Sequence, residues 1–109
     1  MDYKVKLTDH AVSQLQETVV YISKVLQAPA VAKHWANRIK KELASLRSMP
    51  ARYPLTEEDP WHTEGVHKMS VENFLVYYWI EEAKKIVWIT AIVYARRDQL
   101  RALREMPPQ

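Results

Sequence analysis

Cysteine is absent from the 109 residues, so the chain has no disulfide framework, no thiolate nucleophile and no thiolate metal ligand. A reducing compartment is the expectation. Glycine is nearly absent too. Gly65 stands alone, whereas phosphate-cradling loops of the Walker type and the dinucleotide fingerprint need two or three closely spaced glycines for backbone to approach the ligand. Long hydrophobic runs are also missing: the longest fully apolar stretch, Phe74 to Ile80, falls far short of the roughly 20 residues that cross a bilayer as a helix. The opening Met1-Asp2-Tyr3-Lys4-Val5-Lys6 has no apolar signal-peptide core, so neither secretion nor a membrane partner is expected. His10, His34, His62 and His67 lack the close pairing of a zinc motif, so no metal and no cofactor is expected.

What is present describes a folded domain. Hydrophobic residues make up 48% and charged residues 27%, near the globular average, and 109 residues suit one domain spanning 1–109. Tyr3, Val5 and Leu7 alternate with Lys4 and Lys6, the period of a strand with one buried face. Thr8 or Asp9 can cap a helix over about 9–26, with apolar positions at Ala11, Leu15, Val19, Ile22 and Leu26. Pro29 opens a second amphipathic helix, with a stripe through Ala32, Trp35, Ile39, Leu43 and Leu46, which ends before Pro50. Residues 50–64 combine Pro50, Pro54 and Pro60 with Glu57, Glu58, Asp59 and Glu64, and read as an exposed acidic loop. Val66–Val71, Asn73–Ile80 and Ile86–Ala95 are rich in β-branched and aromatic residues and read as an antiparallel meander. Arg97–Glu105 is expected to add a short helix before Pro107. The order β-α-α-β-β-β predicts an α+β domain, with a helical hairpin on one face of a four-stranded, mostly antiparallel sheet. The second face is then solvated, cupped by loops or used for a partner. Trp35 and the Tyr77-Tyr78-Trp79 run read as core, while Trp61 either packs under its loop or meets a partner.

The net charge of +3 hides a separation: residues 29–53 carry +5, residues 54–65 carry −4 and residues 86–109 carry +2. If the second helix's exit and the last strand's end share one sheet edge, they form a basic rim suited to phosphate. The plainer alternative, for Lys40 and Lys41 above all, is a solvated helix face. Tyr94-Ala95-Arg96-Arg97-Asp98 sets a phenol and two guanidiniums where a strand ends, with Tyr94 and Arg96 on one face by alternation. Guanidinium holds phosphate bidentately and phenol donates a proton or hydrogen bond; a surface Arg–acid pair beside a half-buried tyrosine is the alternative.

The layout, the Asn73-Phe-Leu-Val-Tyr-Tyr-Trp-Ile80 strand, the Ile86–Tyr94 strand and its Arg96-Arg97-Asp98 exit resemble the RelE/ParE superfamily of type II toxins. The resemblance implies a cytoplasmic bacterial toxin that forms a hetero-oligomer with a cognate antitoxin, whose acidic residues would oppose Arg96 and Arg97. Two activities lie within that superfamily, and the resemblance is read here as implying the first, a ribosome-dependent mRNA endonuclease, with gyrase inhibition as the alternative. RelE-like members cut mRNA on the ribosome; ParE-like members poison DNA gyrase without nuclease activity. Metal-free RNA cleavage needs a base for the 2′-hydroxyl, stabilisation of the phosphate and an acid for the leaving oxygen. On the RelE-like reading Arg96 stabilises the phosphate, Tyr94 orients or protonates, His67 or Lys68 serves as base or electrostatic support, and Arg52 with Arg97 completes the phosphate contacts. His67 and Lys68 point to opposite faces, so at most one joins Tyr94 and Arg96. Such nucleases carry a denser set of acid–base residues, which counts against catalysis, and Pro50-Ala-Arg52-Tyr53-Pro54 resembles the exit of a ParE-like hairpin.

Overall fold

The first strand, β1 (Lys4–Leu7), puts Val5 and Leu7 on the side that meets the helices. Thr8 then caps α1 (Asp9–Val20) by accepting the Ala11 N–H at 3.2 Å, with Asp9 in the first turn favouring the positive helix end. The computed structural model describes residues 2–25, 27–72 and 74–94. Its secondary structure continues with α2 (Pro29–Ala44), β2 (His67–Val71), β3 (Phe74–Glu81) and β4 (Ile86–Tyr94). The expected first helix to residue 26 is thus α1 plus a π-helical turn at Tyr21–Val25. The change follows Thr18, Val19 and Val20, whose branched side chains lose rotamer freedom against the preceding turn. A short 3-10 segment, Ser45–Arg47, ends α2, and another spans Pro50–Arg52. The short helix expected over Arg97–Glu105 lies outside the described residues.

The strands lie in the order β1-β4-β3-β2, with β1 parallel to β4 and the other pairs antiparallel. The chain is therefore α+β, its helical hairpin laid on a four-stranded sheet as the element order implied. Trp35 of α2 is 2% exposed and meets Phe74 with ring centroids 4.4 Å apart; Ile39, Leu43 and Leu46 continue that stripe onto Met69, Val76, Tyr78 and Val87. Because β1 ends opposite Ile89, the Ile92 N–H of β4 finds no strand there. Gln14 of α1 accepts it at 2.8 Å, satisfying a backbone donor that would otherwise be unpaired. A register shift between Tyr77 and Tyr78 leaves Thr90 as the extra residue of β4; its hydroxyl donates to the Tyr77 carbonyl at 3.2 Å.

The loop of residues 53–66 is not simply exposed. Glu57, Asp59 and Glu64 face solvent, but the loop folds across the second face of the sheet. Trp61, 8% exposed, packs there in one cluster with Val66, Leu75, Tyr77, Ala91 and Val93. An apolar face open to water is unfavourable, and one large indole covers most of a short one. Gly65 turns the loop back into β2 with φ +81°, a backbone conformation only glycine adopts without strain.

One expected juxtaposition fails. The exit of α2 reaches the start of β1, where Tyr3 N donates to Arg47 O at 2.8 Å, and Lys4 lies opposite Ile86. Tyr94 ends β4 eight residues further on, roughly 26 Å away at about 3.3 Å per residue. The helix exit and the last strand's end thus lie at opposite ends of the sheet and share no rim. Parallel pairing of β1 with β4 is the reason: it brings the start of β4, not its end, beside the exit of α2.

Candidate functional site

Of the residues singled out in the sequence, His67 and Arg52 come near one another and Tyr94 does not. His67 lies opposite Tyr78 on β3, and Tyr78 lies opposite Ile89, whereas Tyr94 lies opposite Phe74. Four residues of β3 separate the two rungs, roughly 13 Å along the strand. Arg96 and Arg97 lie outside the described residues.

His67 faces the helix side. Its ring stacks on Tyr78 with centroids 5.1 Å apart and planes 14° apart, and Nδ1 lies 2.7 Å from the Tyr53 carbonyl. A carbonyl only accepts, so Nδ1 carries the hydrogen. The Tyr78 hydroxyl donates in turn to the Pro50 carbonyl at 2.5 Å, and burial pushes this phenol up to about 12 despite the Arg52 charge nearby.

Arg52 is committed to backbone. Its guanidinium donates to the carbonyls of Ser45, Ser48 and Met49 at 3.3, 2.6 and 3.1 Å, and to Ser45 Oγ at 2.8 Å, while lying 4.9 Å from the Tyr53 ring centroid. These carbonyls end α2, where the helix leaves acceptors unpaired, and Met49 adopts a left-handed φ of +48°. Arg52, Tyr53, His67 and Tyr78 thus form one fastening between the α2 exit and strands β2 and β3. The bonds to the carbonyls all run through Nη1, so most of the fastening is made by one end of the guanidinium.

Lys68 points the other way, opposite Tyr77 under the loop, and its backbone N–H donates to Pro54 O at 2.9 Å. Glu58 sits nearby. The Thr56 hydroxyl donates to its carboxylate and, with a smaller contribution from Lys68, holds the carboxyl below its usual range. Burial, with the Glu58 charge adding to it, raises the Tyr77 phenol to about 12. The loop side thus holds a carboxylate, an ammonium and a neutral phenol around an apolar patch.

The sequence reading missed a groove of about 750 Å³ between β1 and α2. Val5, Leu7, Leu43 and Ala44 give it an apolar floor, and Lys4, Lys6, Lys40 and Arg47 contribute charge. Asp2 is the acid among its lining residues, 3.9 Å from Arg47. Lys4 and Lys6 were visible as the polar half of a strand; their proximity to Lys40 and Arg47 depends on which strand pairs with β1. No helix among the described residues is long and apolar enough to cross a membrane.

Comparison with known proteins gives this fold a lineage. A chain of the chromosomal ParDE toxin–antitoxin system from P. aeruginosa superposes with a TM-score of 0.71 at 20% identity, over 86% of this chain and 97% of that one. A chain of the toxin–antitoxin complex RelBE2 from Mycobacterium tuberculosis gives 0.59 at 18% identity, over 86% and 99%. A double-arginine-to-alanine mutant of the E. coli toxin RelE in the free state gives 0.59 at 15% identity, over 95% and 97%. At such identities these likenesses carry the fold. None of the curated proteins searched matches the chain. The family model described as the ParE toxin of the type II toxin–antitoxin system parDE matches residues 5–99, nearly the whole length. This chain therefore belongs to the ParE toxin family, within the RelE/ParE superfamily of type II toxins.

Proposed function

We propose that this chain is a growth-inhibiting toxin that acts by binding a protein target, DNA gyrase, as ParE-like members do, and that a cognate antitoxin neutralises it. The observation that carries this reading over ribosome-dependent mRNA cleavage is the dispersal of the expected catalytic set. His67 is stacked and bonded on the helix side, Lys68 lies on the loop side, and Arg52 is occupied by carbonyls. Tyr94 lies four rungs of β3 from His67. General acid–base catalysis requires its groups within hydrogen-bond reach of one reacting phosphate, and these span far more than that. The match to the ParE family supports the same side. In this reading Arg96 and Arg97, at the exit of β4, contact the target or acidic antitoxin residues rather than a scissile phosphate.

Two assays run in parallel decide between the activities. Purified chain added to gyrase is expected to block supercoiling or trap cleaved DNA, and Arg96→Ala with Arg97→Ala is expected to weaken that block. The same chain added to translating ribosomes is expected to leave mRNA intact. Discrete mRNA cuts that disappear in Arg96→Ala would reverse the assignment and restore the Tyr94, Arg96, His67 or Lys68 mechanism.

A further inference from the structure

The loop that closes the second face of the sheet covers only part of it. Trp61 packs over Leu75, Tyr77, Ala91 and Val93, where β3 begins and β4 ends. The other end of that face carries a row of side chains across three strands: Lys6 of β1 lies opposite Trp88 of β4, and Trp88 lies opposite Trp79 of β3. Val5 and Val87, next to them in sequence, turn to the helices, so alternation places this row on the second face. Both indoles are only half-buried, and Lys6 is exposed. Lys6 Nζ lies 5.9 Å from the Trp88 ring centroid, and Trp88 Nε1 donates to Glu81 at 3.1 Å. The Trp79 indole N–H has no hydrogen-bond partner among the described residues.

We infer that this row is the surface that meets the protein target, taking an acidic segment of it whose apolar side chains lie on the two indoles and whose carboxylates reach Lys4, Lys6 and Lys84. The inference rests on the reading of the chain as a toxin that binds gyrase. Large aromatic side chains that keep a polar edge supply much of the energy at protein interfaces. Here two stand side by side at the spacing of directly paired residues, about 5 Å between Cβ atoms. The ladder already fixes their backbone, so little ordering is lost on binding.

Charge and geometry choose the occupant. Lys4, Lys6 and Lys84 outnumber Glu81 around the row, while Lys85 and Glu82 beside it pair with each other at 3.0 Å. An acidic partner is therefore favoured, and a second copy of the chain would bring the same cations to the same seam. The chain's own last 15 residues carry four arginines against Asp98 and Glu105, again the sign of the row. A single-stranded nucleic acid stacks its bases on open aromatic faces and runs its phosphates along cations. Lys6 already lies over the Trp88 ring, and Glu81 at its edge sets a fixed anion in the path of a chain charged at every nucleotide. A protein segment places its carboxylates singly, and one of its carbonyls can accept the Trp79 N–H.

The test uses the full chain and purified gyrase, with inhibition of supercoiling as the readout and direct binding measured at two salt concentrations. Three variants are compared with the wild-type chain: Trp79→Ala with Trp88→Ala; Lys6→Glu with Lys84→Glu; and Lys33→Glu, an exposed α2 charge away from the row. Because the sequence has no cysteine, Lys84→Cys and Lys33→Cys each accept a bulky maleimide at one place, which blocks one surface without cutting into the fold. Half-inhibition is expected to need about tenfold more chain, or beyond, when both indoles are replaced or when Lys84→Cys is labelled. The charge-reversed pair is expected to need about threefold more and to lose the salt dependence of binding, while both Lys33 variants stay within about twofold of wild type. If the double tryptophan variant fails to fold, the charge-reversed and labelled chains decide. Inhibition by those two at the wild-type concentration overturns the surface assignment and leaves the gyrase reading standing. So does binding of a single-stranded oligonucleotide that replacing both indoles abolishes while gyrase inhibition persists. If the wild-type chain neither binds gyrase nor blocks supercoiling, the gyrase reading fails and this inference fails with it.

Discussion

The two faces of the sheet are closed by different means. On the helix side, Trp35, Ile39 and Leu43 from α2, with Leu46 from the 3-10 segment after it, interlock with residues from three strands. On the loop side a smaller cluster depends on one indole, Trp61, delivered by a proline-rich segment. The helix side also anchors its polar groups to backbone: Tyr78 to Pro50 and His67 to Tyr53. The loop side leaves Glu58 and Lys68 beside Tyr77 and partly open to water. One sheet thus carries a redundant face and a face with a single closure, and changes should be absorbed very differently by the two.

Truncation is the largest test of that contrast. Trp35→Ala removes a ring buried among α2 and β3 and is expected to cost about 3–5 kcal/mol in denaturant unfolding. Trp61→Ala opens a surface loop instead and is expected to cost about 2 kcal/mol, with increased binding of a hydrophobic dye. Equal losses in both would show that the loop face is as constrained as the helix face. Alkaline titration separates the faces next. Tyr77 and Tyr78 both have phenols raised from 10.0 to about 12, so the native state favours the protonated form. Their contribution to stability is complete below pH 10 and is lost as pH rises from 10 toward 12. In Trp61→Ala, phenolate absorbance should show one tyrosine, Tyr77, moving back toward 10 while Tyr78 stays; movement of both would make the faces one cooperative unit.

Smaller effects belong to the loop face alone. The Glu58 carboxyl lies below its usual 4.5, chiefly through the Thr56 hydroxyl. The stability it supplies is present above that value and disappears as pH falls through the lowered one. Glu58→Gln is expected to flatten the acid limb of the stability curve and to cost about 0.5 kcal/mol or less at neutral pH, since the group is partly open to water and solvent screens it. Smallest is Trp61→Phe. Its indole Nε1 is buried without a hydrogen-bond partner among the described residues, so losing that N–H should leave the unfolding midpoint almost unchanged. A marked drop would reveal a polar contact made there.

Periodicity carried most of the fold. Alternation at Tyr3–Leu7 and the helical stripe through Trp35 and Leu43 depend on local sequence, so strand and helix positions could be read directly. Register is a long-range property. Nothing within residues 66–94 indicates that Thr90 is an extra residue, or that His67 stands opposite Tyr78 and shares its side, yet those pairings separate His67 from Tyr94. The structural role of Arg52 was hidden for a related reason. Arg52 was identified by its charge, whereas its role follows from three carbonyls left over where α2 ends. Trp61 was recognised as anomalous in an acidic loop, but the patch that receives it exists only once β2, β3 and β4 are side by side.

The parallel pairing of β1 with β4 also sets when the molecule can exist. Lys4 meets Ile86, about 80 residues apart in sequence, and β4 lies between β1 and β3. Until β4 has been synthesised, β1 has no neighbour, and β2 with β3 is an isolated two-stranded hairpin, which is at best marginally stable in water. A chain interrupted before residue 86 therefore has no sheet on which to lay its helices. Production of this protein is all-or-none at the level of the single polypeptide, and only a ribosome that reads through the last strand releases a folded product.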